Sequence, residues 1–256
     1  MSKISERLNK LGQNERSGFG FGARTKNTKI PVILVAANVD SPADAKGVDA
    51  DLFILAPNAK GAAQKSTVAD ADIWGVSVAG GSNKEIDAAV KAGADFIVVE
   101  GESAPGAALR DDDTGKGFVL KADISDERAK AVESGPFDFL ILDGSDLSLP
   151  MTVGTVLDVQ EQLAKYSRHI FLRMSEIPDQ VNLELLRDIG ISALIYDAAK
   201  IDSKDLKSLK GSIEKLEPKK QKSATDAMLP RSGESSQSTD HDDHDHDHDD
   251  EDEDWE

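Results

Sequence analysis

The chain contains no cysteine. That excludes a disulfide framework, a thiolate nucleophile and any Cys-ligated metal or cluster. It suits a reducing compartment, so a cytoplasmic protein is expected. No apolar run approaches the ~20 residues that cross a bilayer. The opening MSKISERLNKLGQNERSG is polar and mixed in charge, unlike a secretory signal. No membrane association is expected. The sequence also lacks a P-loop, an HExxH pair, an EF-hand loop and a nucleophile elbow. A dense basic stretch is missing too, so nucleic acid is not an expected partner.

What is present starts with acid. The formal net charge is −18, but residues 233–256 carry thirteen Asp and Glu with no Lys or Arg. Removing those thirteen charges leaves −5 for residues 1–232, a mildly acidic body with a strongly acidic end. Residues 219–256 are mostly polar and low in hydrophobicity, and they finish in a His- and Asp-rich acidic run. Such a segment cannot bury enough apolar surface to offset its ordering entropy, so a disordered tail is expected. Its His241, His244, His246 and His248 offer imidazoles among carboxylates, a set that binds divalent transition metals weakly. The competing reading is a solvated tail that keeps the protein soluble.

Between the ends, one pattern recurs four times. Lys46-Gly47-Val48-Asp49-Ala50-Asp51 precedes LFILA, Ala92-Gly93-Ala94-Asp95 precedes FIVVE, Ser134-Gly135-Pro136-Phe137-Asp138 precedes FLILD, and Ile189-Gly190-Ile191-Ser192-Ala193 precedes LIYD. Each is a helix end, a glycine stop and a short apolar strand. Four further apolar runs begin at Pro31, Ile73, Gly117 and His169. Short continuous apolar strands signal burial on both faces, as in a parallel sheet. The connectors read as helices over 83–92, 126–133, 152–168, 180–189 and 203–216. Ser82 with Glu85 three residues on is a capping box, and Ser125 caps the next helix. In the helix over 152–168, Val153, Val156, Leu157 and Leu163 form the apolar side. The connectors over 40–48 and 102–114 are weak. Eight strands with alternating helices close into a compact (β/α)₈ barrel over residues 30–218, about 190 residues against the ~250 typical. An open doubly wound sheet is the competing fold, but it has fewer strands and a glycine-rich turn after its first. Residues 1–29 form an N-terminal extension. It carries a short helix with Ile4, Leu8 and Leu11 at helical spacing, then a Gly18-Phe19-Gly20-Phe21-Gly22 connector.

In such a barrel, chemistry sits at the C-terminal ends of the strands. Four neighbouring strands end on a charge: Glu100, Lys121, Asp143 and Arg173. Period-two alternation pairs them with Val98, Val119, Ile141 and Phe171. All four pointing inward would set acid, base, acid, base around the mouth. As a site, Lys121 serves as proton donor or amine nucleophile, Glu100 or Asp143 as general base, and Arg173 grips a carboxylate or phosphate. As structure alone, the same four residues form a self-neutralising ring of ion pairs. Gly81 and Ser82 open the helix after the third strand, where bare N–H groups can hold an anion or simply make a tight turn. His169 begins a strand at the opposite end and is expected to be structural.

The AGADFIVVE and IGISALIYD stretches resemble the even strands of aldolase-type TIM barrels, including ribulose-phosphate-binding enzymes and FMN-linked oxidoreductases. That resemblance implies the fold. Those families hold phosphate with glycine turns after strands seven and eight. The matching segments here, Met174-Ser175-Glu176-Ile177-Pro178 and Asp197-Ala198-Ala199-Lys200, have no glycine and each carries an acid. FMN is therefore not an expected cofactor. The layout also resembles uncharacterised bacterial TIM-barrel proteins, through Ile4-Ser5-Glu6-Arg7-Leu8, Gly18-Phe19-Gly20 and Ala227-Met228-Leu229-Pro230-Arg231. Two classes of function follow: an enzyme or binder of a small anionic metabolite at the strand ends, or a catalytically silent barrel acting as a scaffold or interaction module.

A solvated, His-bearing tail has direct consequences. Cu²⁺ or Ni²⁺ should quench Trp255 fluorescence near neutral pH and much less at about pH 5, because imidazole must lose its proton to ligate. Deleting residues 233–256 should leave the thermal midpoint nearly unchanged. A large drop would show that the tail packs on the body.

Overall fold

The computed structural model describes residues 1–13, 30–56, 71–121 and 123–219. The expected tail, the Gly18–Gly22 connector and most of the link between the second and third strands lie outside these. Within them, eight parallel strands close into a barrel in chain order. They are β1 (Leu34–Val39), β2 (Leu52–Leu55), β3 (Trp74–Val78), β4 (Phe96–Val99), β5 (Gly115–Val119), β6 (Phe139–Asp143), β7 (His169–Arg173) and β8 (Ile191–Asp197). Helix α1 (Lys3–Asn9) precedes them. The outer layer holds α2 (Asn83–Ala92), α3 (Asp126–Glu133), α4 (Val153–Leu163), α5 (Gln180–Ile189) and α6 (Ser203–Ile213). The two weak connectors hold only 3₁₀ turns, Pro42–Ala45 and Gly106–Leu109. No helix among the described residues is long and apolar enough to cross a membrane.

Alternation divides the apolar side chains into two cores. Leu34, Ala36, Leu52, Ile54, Val98, Ile141 and Ile195 fill the barrel, with Phe96, Phe139 and Phe171 among them. Phe139 stacks on Phe171 at 4.2 Å between ring centroids and meets Phe96 edge-on at 5.7 Å. A Cβ on Gly117 would overlap the Phe139 ring, so the smallest residue on β5 makes room for the largest on β6. Burying each such ring stabilises by about 1.5–3 kcal/mol, and each aromatic pairing adds roughly 0.5–1.5 kcal/mol. The residues of opposite parity, among them Val35, Ile97, Leu140, Leu172 and Tyr196, pack against the helices. Burial pushes the Tyr196 phenol above its ordinary pKa.

Helix α4 departs from the expected pattern. It ends at Leu163 rather than 168, because residues 164–168 turn back into β7. Its buried residues are Val159 and Leu163, with Val156 half-buried, while Val153 and Leu157 are 77% and 58% exposed. Both faces are apolar at helical spacing, and only the position of the neighbouring elements decides which is covered.

The repeated Asp residues have their role at the N-terminal end of the barrel. Asp95 accepts from the backbone N–H of Lys3 and Ile4 at 2.8 and 2.7 Å, holding the first turn of α1. Asp138 accepts from the Ser5 hydroxyl and the Lys116 N–H, both at 2.8 Å. Asp51 accepts from the Val35 N–H at 2.8 Å and pairs with Lys210 at 3.2 Å. These bonds set α1 beneath the barrel, with Ile4 and Leu8 buried in its interior core. In the fourth repeat Ser192 replaces Asp and shares a hydrogen bond with His169 Nδ1 at 3.2 Å. Burial holds His169 below the usual imidazole pKa, against the charge of Asp138. Its place at the end away from the strand C-termini fits a structural residue.

Asp95→Ala strands the N–H groups of Lys3 and Ile4 and should cost about 1–2 kcal/mol in urea unfolding. Asp113→Ala removes only the exposed pair with the Met1 ammonium and should cost less than about 0.5 kcal/mol. Equal losses would show that α1 is not held by Asp95.

Candidate functional site

The C-terminal ends of the strands gather the charges that alternation selects. Glu100 follows β4 two residues beyond the inward Val98, and Arg173 closes β7 two beyond the inward Phe171. The Glu100 carboxylate accepts from an Arg173 terminal guanidinium nitrogen at 2.6 Å and from the Ser77 hydroxyl. Both ion-pair side chains are largely enclosed, at 21% and 25% exposure. Ser77 is buried and lies beside Val98 in the β3–β4 register. Arg173 Nε is buried and has no hydrogen-bond partner among the described residues. One Nη of this guanidinium thus donates to Glu100, while Nε has no partner among the described residues.

Asp143 stands next to Arg173 in the β6–β7 register. Its carboxylate does not close on the guanidinium. Oδ1 takes both bonds from Ser145, one from the hydroxyl and one from the N–H at 3.1 Å, and Oδ2 has none among the described residues. The Ser145 hydroxyl, then its N–H and then the Arg173 charge hold the Asp143 carboxyl below the usual carboxylate range, against partial burial. Asp143 is therefore ionised at neutral pH. By the same alternation Asn38 of β1 and Asp197 of β8 stand at the inner face, side by side in register.

Lys121 lies outside this cluster. β5 ends at Val119, so Lys121 falls in the connection to α3, where strand alternation no longer applies. It is exposed and lines an outer groove of about 440 Å³ with Leu142, Glu161, Lys165 and Tyr166. The Arg128 hydrogen bond lowers the Glu102 carboxyl most, and the charges of Arg128 and then Lys121 add to it. Gly81 and Ser82 are exposed at the start of α2. The Ser82 N–H donates to the Glu85 carboxylate at 2.8 Å, so the chain's own acid takes the donor that an anion would use. The tail histidines 241, 244, 246 and 248 lie outside the described residues. Among those described, no group of three or more His, Asp or Glu is placed to hold a metal ion.

Sequence reasoning finds Glu100, Asp143 and Arg173 but misses Ser77. Its signal is a hydroxyl at an inward position of a strand whose alternate residues Trp74, Val76 and Val78 pack outward.

No protein-family model and no curated protein matches the sequence. Solved structures match the fold. One is the 3-keto-L-gulonate-6-phosphate decarboxylase of Vibrio cholerae O1, at 14% identity and a TM-score of 0.56 over 73% of this chain and 99% of that one. Another is the thiamine phosphate pyrophosphorylase of Pyrococcus furiosus, at 14% identity and 0.52 over 71% and 95%. A third is the tryptophan synthase subunit alpha of Legionella pneumophila, at 14% and 0.53 over 84% and 100%. At such identities the likeness is one of fold. The chain has the TIM-barrel fold, a closed ring of eight parallel strands like that of these solved structures.

Proposed function

We propose that the mouth of the barrel binds a small carboxylate-bearing metabolite and exchanges a proton with it. The observation that carries this reading is the buried Arg173 Nε, a donor with no partner among the described residues, beside an enclosed Glu100. A guanidinium presents its donors as a fork suited to carboxylates, and Glu100 uses only one tine. Glu100, held by Ser77 and Arg173, is a positioning residue that fixes the fork. Asp143 is the general base: it is ionised, it adjoins Arg173 and its Oδ2 is unengaged among the described residues. Lys121 has no part in this arrangement.

A silent scaffold would have the four charges close on one another. Only one direct pair forms among them, Asp143 turns to Ser145 instead, and Lys121 faces an outer groove. That leaves an unspent donor and an unspent base side by side, the arrangement that supports the site.

The test is a thermal-shift and calorimetric screen with pyruvate, oxaloacetate, malate and 2-oxoglutarate. At least one should stabilise the protein, and Arg173→Lys should weaken it about 10-fold or more by losing the planar fork. Asp143→Asn should leave the fold intact and abolish protein-catalysed solvent-proton exchange at C3 of the 2-oxo acids, the carbon next to the keto group, followed by NMR in D₂O. Stabilisation that is indifferent to Arg173, or none at all, would favour the scaffold.

A further inference from the structure

We infer that the mouth selects a zwitterion, a small molecule bearing one carboxylate and one ammonium such as an α-amino acid, and turns away phosphate esters. This rests on the reading of Arg173 as a carboxylate grip and names the rest of the ligand.

Phosphate at the strand ends of a barrel needs backbone N–H groups to receive its oxygens. Here one of the chain's own carboxylates takes such a donor after each of five strands. Asp44 holds the Ser41 N–H after β1 at 2.9 Å, and Glu85 holds that of Ser82 after β3 at 2.8 Å. Asp143 holds the Ser145 N–H after β6 at 3.1 Å, and Asp179 holds that of Asn182 after β7 at 2.9 Å. After β8, Asp197 holds the Ala199 N–H at 3.1 Å. A dianion approaching any of these turns meets a carboxylate where it needs a donor.

The inner face at the strand ends carries the same excess. Glu100, Asp143 and Asp197 stand there against Arg173, and Glu100 already draws on that cation. Asp197 has a partner of its own in the exposed Lys200, at 3.1 Å, whereas Asp143 has no cation paired to it among the described residues. A ligand with a carboxylate alone would satisfy Arg173 Nε but leave Asp143 Oδ2 unmet, and so bind more weakly. A ligand that adds an ammonium satisfies both. Asp143 and Arg173 end adjacent strands in register, about 4.8 Å apart at the backbone, so one small ligand can reach both. Asp143, the base of the proposed exchange, meets the ammonium through Oδ2, which has no partner among the described residues, and the ammonium holds it beside the ligand's α-carbon.

The experiment measures affinities of the full chain by calorimetry. It compares the common L-amino acids, their 2-hydroxy-acid counterparts, O-phospho-L-serine and inorganic phosphate. At least one amino acid should bind about 10-fold or more tightly than its hydroxy acid, because only the amine meets Asp143. Asp143→Asn should erase that ratio while Arg173→Lys weakens both ligands, with far-UV circular dichroism showing both variants folded. Phosphate and phosphoserine should not bind measurably. A hydroxy acid that binds as well as its amino acid, with Arg173 required, would overturn the zwitterion and leave the carboxylate site standing. A phosphate ester as the tightest ligand would also overturn it. Absence of binding by every probe would overturn both readings.

Discussion

The strands of this barrel are buried on both faces, among the other strands' side chains within and against the outer helices and connecting turns without. That constraint governs the rest. Period-two alternation cannot slip by one residue without driving Phe139 or Phe171 into the helix layer and a helix-facing Leu into the barrel. Once the interior parity is fixed by the stacked aromatics, so is the parity of each strand's last residue. Glu100 and Arg173 face one another because Val98 and Phe171 already face the interior. The same packing seals the lower end, where Asp95 and Asp138 draw α1 under the strands and Ile4 and Leu8 complete the core. The polar ends thus divide the work. Carboxylates below are spent on backbone and hydroxyl donors that hold the fold, while above them Asp143 retains an oxygen without a partner among the described residues.

Much of this is legible in the residues. The apolar runs show as strands because fully buried strands need no polar alternation. Three helices keep their expected bounds because caps mark them: Glu85 on Ser82, Ser125 on Arg128, and the left-handed Gly93 and Gly190 at helix ends. Other features depend on the fold itself. The repeated Asp is visible as a pattern, but its use requires α1 to return beneath a strand far along the chain, as between Ile4 and Asp95. In α4, both the Val153/Leu157 row and the Val159/Leu163 row are apolar, so periodicity finds the helix and cannot choose its buried face. Lys121 follows an apolar run as Glu100 does. β5, however, starts at Gly115, two residues before the visible run, and ends before Lys121. Ser77 gives only a weak signal, since one hydroxyl in a strand is commonplace until Glu100 is placed beside it.

The electrostatics of the upper face distinguish this barrel from what its fold relatives' names suggest. Both the Vibrio cholerae decarboxylase and the Pyrococcus furiosus pyrophosphorylase are named for phosphorylated compounds. In this chain one of its own carboxylates takes a backbone N–H after each of five strands, and Arg173 at the mouth keeps its Nε without a partner among the described residues. A shared fold supplies the ring of strand ends. The side chains placed there decide the chemistry.

The central claim is that Arg173 holds an unspent donor for a ligand carboxylate. NMR of the arginine Nε–H groups tests it directly. The resonance that disappears in Arg173→Lys is followed while carboxylate ligands are titrated. The account predicts a saturable downfield shift of that one resonance, as a charge-assisted hydrogen bond forms, with slowed exchange with solvent. A resonance that stays fixed while a ligand binds elsewhere would contradict it.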